Sequence, residues 1–190
     1  AGFMEEALAV REAGYQGPLV ILEGCFSVSE LAVCAEYNLS PVVHCEQQLQ
    51  AIEQTALNKP LWVWLKVDTG MHRLGWSEEQ AQQALVRLNA SQNVAGVTLM
   101  SHLANADTDH DLNAEQKRLF CQLSESTKGY QARSFHNSAG VLNPETQWVL
   151  QDNDWVRAGL LLYGVNPSTV TEVQDSLKPA MRLVAPVIAL

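Results

Sequence analysis

The stretch Leu61 to Trp76, LWVWLKVDTGMHRLGW, decides the fold, because it runs from an apolar strand directly into a charged turn closed by glycines. Strand side chains alternate between faces, so Val63, Leu65 and Val67 share one face and Trp64, Lys66 and Asp68 the other. The first face is wholly aliphatic. The second ends in a cation and a carboxylate just before Thr69-Gly70 breaks the strand, and Arg73 follows in a glycine-bracketed loop. Charged groups at the C-terminal end of a strand stand where parallel α/β folds keep their ligands. On spacing alone, Lys66, Asp68 and Arg73 read equally well as a surface ion cluster capping the strand.

Outward from this stretch, helix and strand patterns alternate in both directions. Apolar residues recur at helical spacing from Met4 to Ala13 and stop at Gly14, and Pro18 to Leu22 is a short apolar strand. Ser27-Val-Ser-Glu30 has the spacing of a capping box and opens a helix to Tyr37; Pro41 to His44 is the next strand and Glu46 to Leu57 the next helix. Beyond the central strand, Leu61 to Asp68, the residues Ser77 to Gln80 open a helix to Asn89. Asn93 to His102 then reads as strand, Leu112 to Ser124 as helix, Gln131 to His136 as strand, and Trp155 to Tyr163 holds the last strand. Such alternation implies parallel strands joined by helical crossovers. A barrel and a doubly wound sheet both satisfy it, and no Gly-x-Gly-x-x-Gly or P-loop supports a nucleotide-binding version. Ser168 to Lys178 reads as an exit loop, and Met181 to Leu190, MRLVAPVIAL, as a strand entering a different domain.

Composition narrows the ligand. The 190 residues are ordinarily globular in composition, and the net charge of −9 is spread along the chain, which argues against nucleic acid or an anionic membrane as partner. A small-molecule ligand is expected instead. Cys25, Cys34, Cys45 and Cys121 form no Cys-x-x-Cys and have no histidine at zinc-finger spacing, so they read as thiols of a reducing, cytoplasmic compartment. The opening AGFMEEALAVREAG is acidic and amphipathic rather than a signal segment, and no stretch approaches membrane-spanning length.

Lys66 to Gly75, KVDTGMHRLG, resembles the signature of alanine racemases, pyridoxal-phosphate enzymes built on a (β/α)8 barrel with an added β domain. A second block, Asp154 to Gly164, DWVRAGLLLYG, is similar to the same family's cofactor-binding strand, and the two blocks stand in the family's order. The resemblance implies an α/β chain: an incomplete (β/α)8 TIM-type barrel over residues 1–178, from strand two or three to strand eight, then the first strand of a β domain at 179–190. It implies interconversion of L- and D-alanine through pyridoxal 5'-phosphate by a homodimer, whether for peptidoglycan or for catabolism.

Residue roles follow from the same resemblance. Lys66 and Arg73 take the catalytic positions, where the family's lysine is carbamylated and orients the arginine beside the cofactor's phenolate oxygen and the substrate carboxylate. Arg157 stands where the family's arginine donates to the pyridine nitrogen; read without the resemblance, it is a strand-end cation paired with Asp154. Ser138, with the backbone of Gly159 and Leu160, stands at the phosphate. Asn137 joins them or, equally, caps a helix through Asn137-Ser138-Ala139-Gly140. His102 stands beside the pyridine-binding arginine, although a lone strand-end histidine is also ordinary hydrogen-bonded structure. His136 departs from the family pattern, in which the histidine stands earlier. The run from His102 to Asp111 has no recognised ligand spacing, and no metal site is expected from it.

Two family features find no match here. The lysine that forms the Schiff base lies in a Lys-Ala-Asn-Ala-Tyr-Gly-like segment, and none of Lys59, Lys66, Lys117, Lys128 and Lys178 stands in one. The second base is a tyrosine of the partner subunit's β domain, which none of Tyr15, Tyr37, Tyr130 and Tyr163 matches. This chain alone is therefore expected to be inactive, an internal fragment of a barrel domain. Another racemase or decarboxylase of the same barrel class, or a non-catalytic pyridoxal-phosphate carrier, are the alternatives.

Overall fold

The computed structural model describes residues 1–147, 150–172, 177–182 and 184. Among them the order is α1 (Met4–Glu12), β1 (Leu19–Ile21), α2 (Val28–Tyr37), β2 (Leu39–Val43), α3 (Glu46–Gln54), β3 (Leu61–Lys66) and α4 (Glu78–Ala90). It continues through β4 (Val94–Met100), α5 (Asp111–Ser126), β5 (Ala132–Asn137), α6 (Ser138–Leu142), β6 (Trp155–Arg157) and α7 (Gly159–Leu162). All six strands are parallel and lie side by side in sequence order. A doubly wound sheet reverses that order at a switch point. Here it never reverses, and the sheet with its helices is an incomplete TIM-type barrel.

The alternation read in β3 sets the two sides of the sheet. Val63, Leu65 and Val67 join the core under the helices, with Leu31, Leu49 and Leu85. Trp64 turns inward and packs with Val42, Met100 and half-buried Val20, its ring 5.9 Å from that of Trp155. Residues in register across a parallel sheet share a face. Val42, Trp64, Thr98 and Ala132 therefore form one inner row, and Lys66, Met100, Ser134 and Trp155 the next, nearer the C-terminal ends.

The expected capping boxes close on α2 and α4. The Ser27 hydroxyl accepts from the Glu30 amide while the Glu30 carboxylate accepts from the Phe26 and Ser27 amides, and Ser77 and Gln80 repeat the arrangement. Element ends differ where turn chemistry intervenes. Asn38 adopts a left-handed conformation (φ 52°), ends α2 and turns directly into β2, which starts at Leu39 rather than Pro41. α3 ends at Gln54 rather than Leu57.

The last strand needs correction. It is only Trp155–Arg157, and the apolar run after it is the short helix α7, because a brief apolar run fits either element. The expected strand at 181–190 lies mostly outside the described residues, as do 173–176 of the expected exit loop. Cys25 and Cys34, nine residues apart, bring their sulfurs to 3.5 Å in the outer core. No described helix is long and apolar enough to cross a membrane.

Candidate active site

The loop after β3 is shaped by Asp68. Its Oδ1 accepts from the backbone amides of Gly70 and His72, each at 3.0 Å, and its Oδ2 lies 3.0 Å from His72 Nδ1. Burial works to raise the Asp68 carboxyl, but these donors outweigh it and hold the group below the usual carboxylate range. The Asp68 amide donates to the Trp76 carbonyl and the Trp76 amide to the Lys66 carbonyl, both at 2.9 Å. That closure brings Gly75 (φ 129°) so near the chain that a Cβ there would lie 2.7 Å from the Asp68 nitrogen. Asp68 is thus occupied in folding the loop that presents exposed Arg73, rather than in a surface cluster with Lys66.

Lys66 points into the barrel and is only 6% exposed, and its amine makes no hydrogen bond or ion pair among the described residues. Burial first, then the cations Arg73 and Arg157, push its amine below the ordinary lysine value, against weaker opposition from Glu23 and Asp68. Inner-row position and the absence of a partner carboxylate act in the same direction here: they favour the neutral, nucleophilic amine.

Arg157, the last residue of β6, is held by neutral acceptors. Its Nη1 donates to Ser134 Oγ, and its Nη2 to the Ser101 carbonyl at 2.6 Å, the Phe135 carbonyl at 3.3 Å and His102 Nδ1 at 3.3 Å. Burial pushes its guanidinium down to about 10, so it remains protonated at neutral pH. Asp154 pairs instead with Arg133, at 2.5 Å. Because Arg157 donates to Nδ1, the His102 proton belongs on Nε2, which lies 3.5 Å from the Asn137 amide nitrogen. Burial, then Arg157, Lys66 and Arg73, push the His102 imidazole down to about 4, so it is neutral at pH 7.

Asn137 does cap a helix: its Oδ1 accepts from the Gly140 amide at 2.9 Å, opening α6. Its Nδ2 meanwhile donates to the Leu103 carbonyl at 3.2 Å. The next residue, Ser138, crosses to the neighbouring helix, and its Oγ accepts from the amides of Leu160 at 2.9 Å and Leu161 at 3.4 Å. A side chain built at Gly159 would meet nothing within 4 Å, so the space beside its backbone is open.

These groups meet in one cleft of about 380 Å³ at the C-terminal ends of β4, β5 and β6. Its lining brings together His102, Asn137, Ser138, Arg157, Gly159 and Leu160, all singled out from the sequence, and adds Asp107, Ala139 and Pro167. Lys66 and Arg73 stand beside the cleft, close enough to act on the charge of His102, but are not among its lining residues. His136 does not line it either; its Nε2 meets the Thr146 carbonyl at 2.9 Å. His110, from the acidic run, instead caps α5 by accepting from the Leu112 amide.

The model of the family "Alanine racemase, N-terminal domain" matches residues 2–167. The chain belongs to the alanine racemase family. It is 46% identical over 189 residues to an alanine racemase of Pseudomonas taetrolens and 44% identical over 189 residues to a catabolic alanine racemase of Pseudomonas putida. Each alignment covers 98% of this chain and 51% of the relative, so the chain spans about half the length of these alanine racemases. Among solved structures, the biosynthetic alanine racemase of Pseudomonas aeruginosa aligns with a TM-score of 0.82 at 36% identity, over 93% of this chain and 48% of that one. A histidine racemase of Leuconostoc mesenteroides aligns with a TM-score of 0.79 at 26% identity, over 94% and 48%.

Several polar groups that hold this cleft in shape escaped the sequence reading: Ser101, Ser134, Thr69 and Gln116. Ser134 shares the inner row with Lys66, a position that strand alternation alone could have placed. Gln116 had a plainer signal, since it interrupts the i, i+4 row Leu112-Gln116-Phe120 on the core side of α5.

Proposed function

We propose that this chain is the central part of the barrel of an alanine racemase that interconverts L- and D-alanine with pyridoxal 5'-phosphate. The observation that carries the reading is the single cleft in which the six residues assigned to the cofactor converge. Its volume lies in the range of small-molecule sites, roughly 300–1,000 Å³. The donor set suits the group: an open backbone beside Gly159 and the proton of the Ser138 hydroxyl, whose oxygen is fixed by the Leu160 and Leu161 amides, for a phosphate, and a charged guanidinium for a ring nitrogen.

Ser138 and the backbone of Gly159 and Leu160 would hold the phosphate, and Asn137 borders the same wall. Arg157 would donate to the pyridine nitrogen and, because it keeps its own proton, leave that nitrogen unprotonated. His102, neutral, accepts from Arg157 and fixes the guanidinium's direction. Arg73 would bind the substrate carboxylate, oriented by Lys66 in its carbamylated form; the depressed amine favours that modification, since a neutral amine is the form that reacts with carbon dioxide. Bound in this cleft, pyridoxal 5'-phosphate supplies the electron withdrawal that acidifies the Cα–H bond of the amino acid.

Racemisation needs a proton-transfer group on each face of the substrate, and we assign both, by resemblance, to segments unlike any in this chain. The residues here position cofactor and substrate. The same resemblance supports a cytoplasmic homodimer, which the four free cysteines suit.

In the intact protein that carries this chain, Ser138→Ala and Arg157→Lys should each weaken pyridoxal 5'-phosphate binding by about tenfold or more, measured by equilibrium dialysis. Unchanged affinity in both would favour a purely structural barrel. The likeness to a histidine racemase makes a broader amino-acid racemase the second reading, and turnover of L-histidine at a rate comparable to L-alanine would select it.

A further inference from the structure

Gln116 is fully buried on α5, and both of its side-chain polar atoms are used, on three residues of two loops. Its Nε2 donates to Thr69 Oγ1 at 3.1 Å and to the His102 carbonyl at 3.0 Å, while its Oε1 accepts from the Ala104 amide at 2.9 Å. Thr69 lies between Lys66 and Arg73 in the loop after β3. His102 and Ala104 lie in the loop after β4. One amide therefore spans the loop that carries Arg73 and the loop that carries the His102 imidazole.

The direction of the hydrogen bonds continues the link. The Ser101 hydroxyl donates to the Val67 carbonyl at 2.9 Å, and a carbonyl can only accept. Ser101 Oγ must then accept from the Thr69 hydroxyl, 2.8 Å away, and Thr69 Oγ1 in turn accepts from Gln116. The protons run in one order: Gln116 to Thr69 to Ser101 to Val67. The carbonyl of the same Ser101 receives Arg157 Nη2. Gly70, beside Thr69, lies so close to α5 that a Cβ there would be 2.9 Å from Leu112 and 3.4 Å from Gln116 Cγ, so loop and helix have no slack between them.

We propose that Gln116 is a positioning residue that couples the Arg73 loop to the His102 and Arg157 side of the cleft, fixing the distance between the substrate-carboxylate and pyridine ends of the site. The consequence for catalysis rests on the proposed racemase function; the coupling itself does not.

The test uses the intact protein stripped of cofactor, with amide hydrogen exchange read at named positions. Thr69→Val removes the hydroxyl that receives the Gln116 proton and touches nothing beyond Ser101, yet it should speed exchange of the Ala104 amide by about fivefold. Gln116→Met should speed exchange of the Gly70 and His72 amides, held by Asp68, by a similar factor. If Thr69→Val leaves Ala104 unchanged, the coupling is overturned, and that variant decides the matter should Gln116→Met fail to fold.

A second arm adds pyridoxal 5'-phosphate. In both variants its dissociation constant should rise about threefold or more, and KM for L-alanine should rise by a larger factor than kcat falls. Unchanged binding and KM would reduce Gln116 to a structural part of α5. Failure of the wild-type protein to bind pyridoxal 5'-phosphate would instead sink the racemase function, with the exchange data still deciding the coupling.

Discussion

His102 gives the site its own pH dependence. The unfolded chain keeps the ordinary value of 6.5, whereas burial and three cations hold the folded imidazole at about 4. Between those values the unfolded state binds the extra proton, so stability is fully present above pH 6.5 and is lost as pH falls towards 4. The loss attributable to His102 between pH 7 and pH 5 is about 2 kcal/mol. Urea unfolding of the intact protein at both values should show that loss, and His102→Gln should remove it; an equal loss in the variant would mean the imidazole is not held neutral. Lys66 makes a second residue-scale case. An arginine there keeps the length and charge but accepts no carboxylate group and places a third fixed cation near Arg73 and Arg157. Lys66→Arg should lower kcat about a hundredfold, as expected when an electrostatic element of a site is removed. Near-normal turnover would show that Lys66 serves as a plain cation.

At the scale of elements, the loop between β3 and α4 is the part whose shape matters most to the site, and Gly75 is its weak point. Alanine there must accept a positive φ of 129° and a Cβ 2.7 Å from backbone. Gly75→Ala should therefore destabilise the protein by about 2 kcal/mol and raise KM for alanine through displacement of Arg73, checked by thermal melting and steady-state kinetics. How far such elements can be read in advance depends on what fixes them. β3 was legible because alternation separates Val63, Leu65 and Val67 from Trp64 and Lys66, and α2 and α4 because their first four residues cap them. α7 was not, since Gly159–Leu162 is too short for either period to show. The Arg157–Asp154 pairing failed for a geometric reason: residues three apart on extended backbone point to opposite faces, leaving Asp154 to Arg133. Of the cleft residues, Arg157, Gly159 and Leu160 lie within the motif block Asp154 to Gly164, and His102, Asn137 and Ser138 were placed by the family resemblance outside it, whereas Gln116 acts across segments that only the folded chain brings together.

At the scale of the whole molecule, the sheet has two edges, β1 and β6, that are each paired on one side only among the described residues. The apolar side chains of Trp155, Val156, Leu160 and Tyr163 lie exposed at the β6 edge, an arrangement that a closed barrel covers. The chain also spans about half of its curated relatives, and in the proposed function its own residues would supply only the binding half of the chemistry: anion holding, ring-nitrogen donation and carboxylate recognition. Binding a cofactor and substrate without a group to remove and return the Cα proton leaves the reaction barrier largely in place, because positioning acts only on the groups that are present. The purified 190-residue chain, supplied with pyridoxal 5'-phosphate and L-alanine, should therefore form no D-alanine in an assay coupled to a D-amino-acid oxidase, while the intact protein forms it readily. D-alanine produced by the chain alone would require two proton-transfer groups within these residues. Candidates would then be sought first among Lys66 and His102, the titratable side chains whose proton affinity burial and the surrounding cations lower at this end of the barrel.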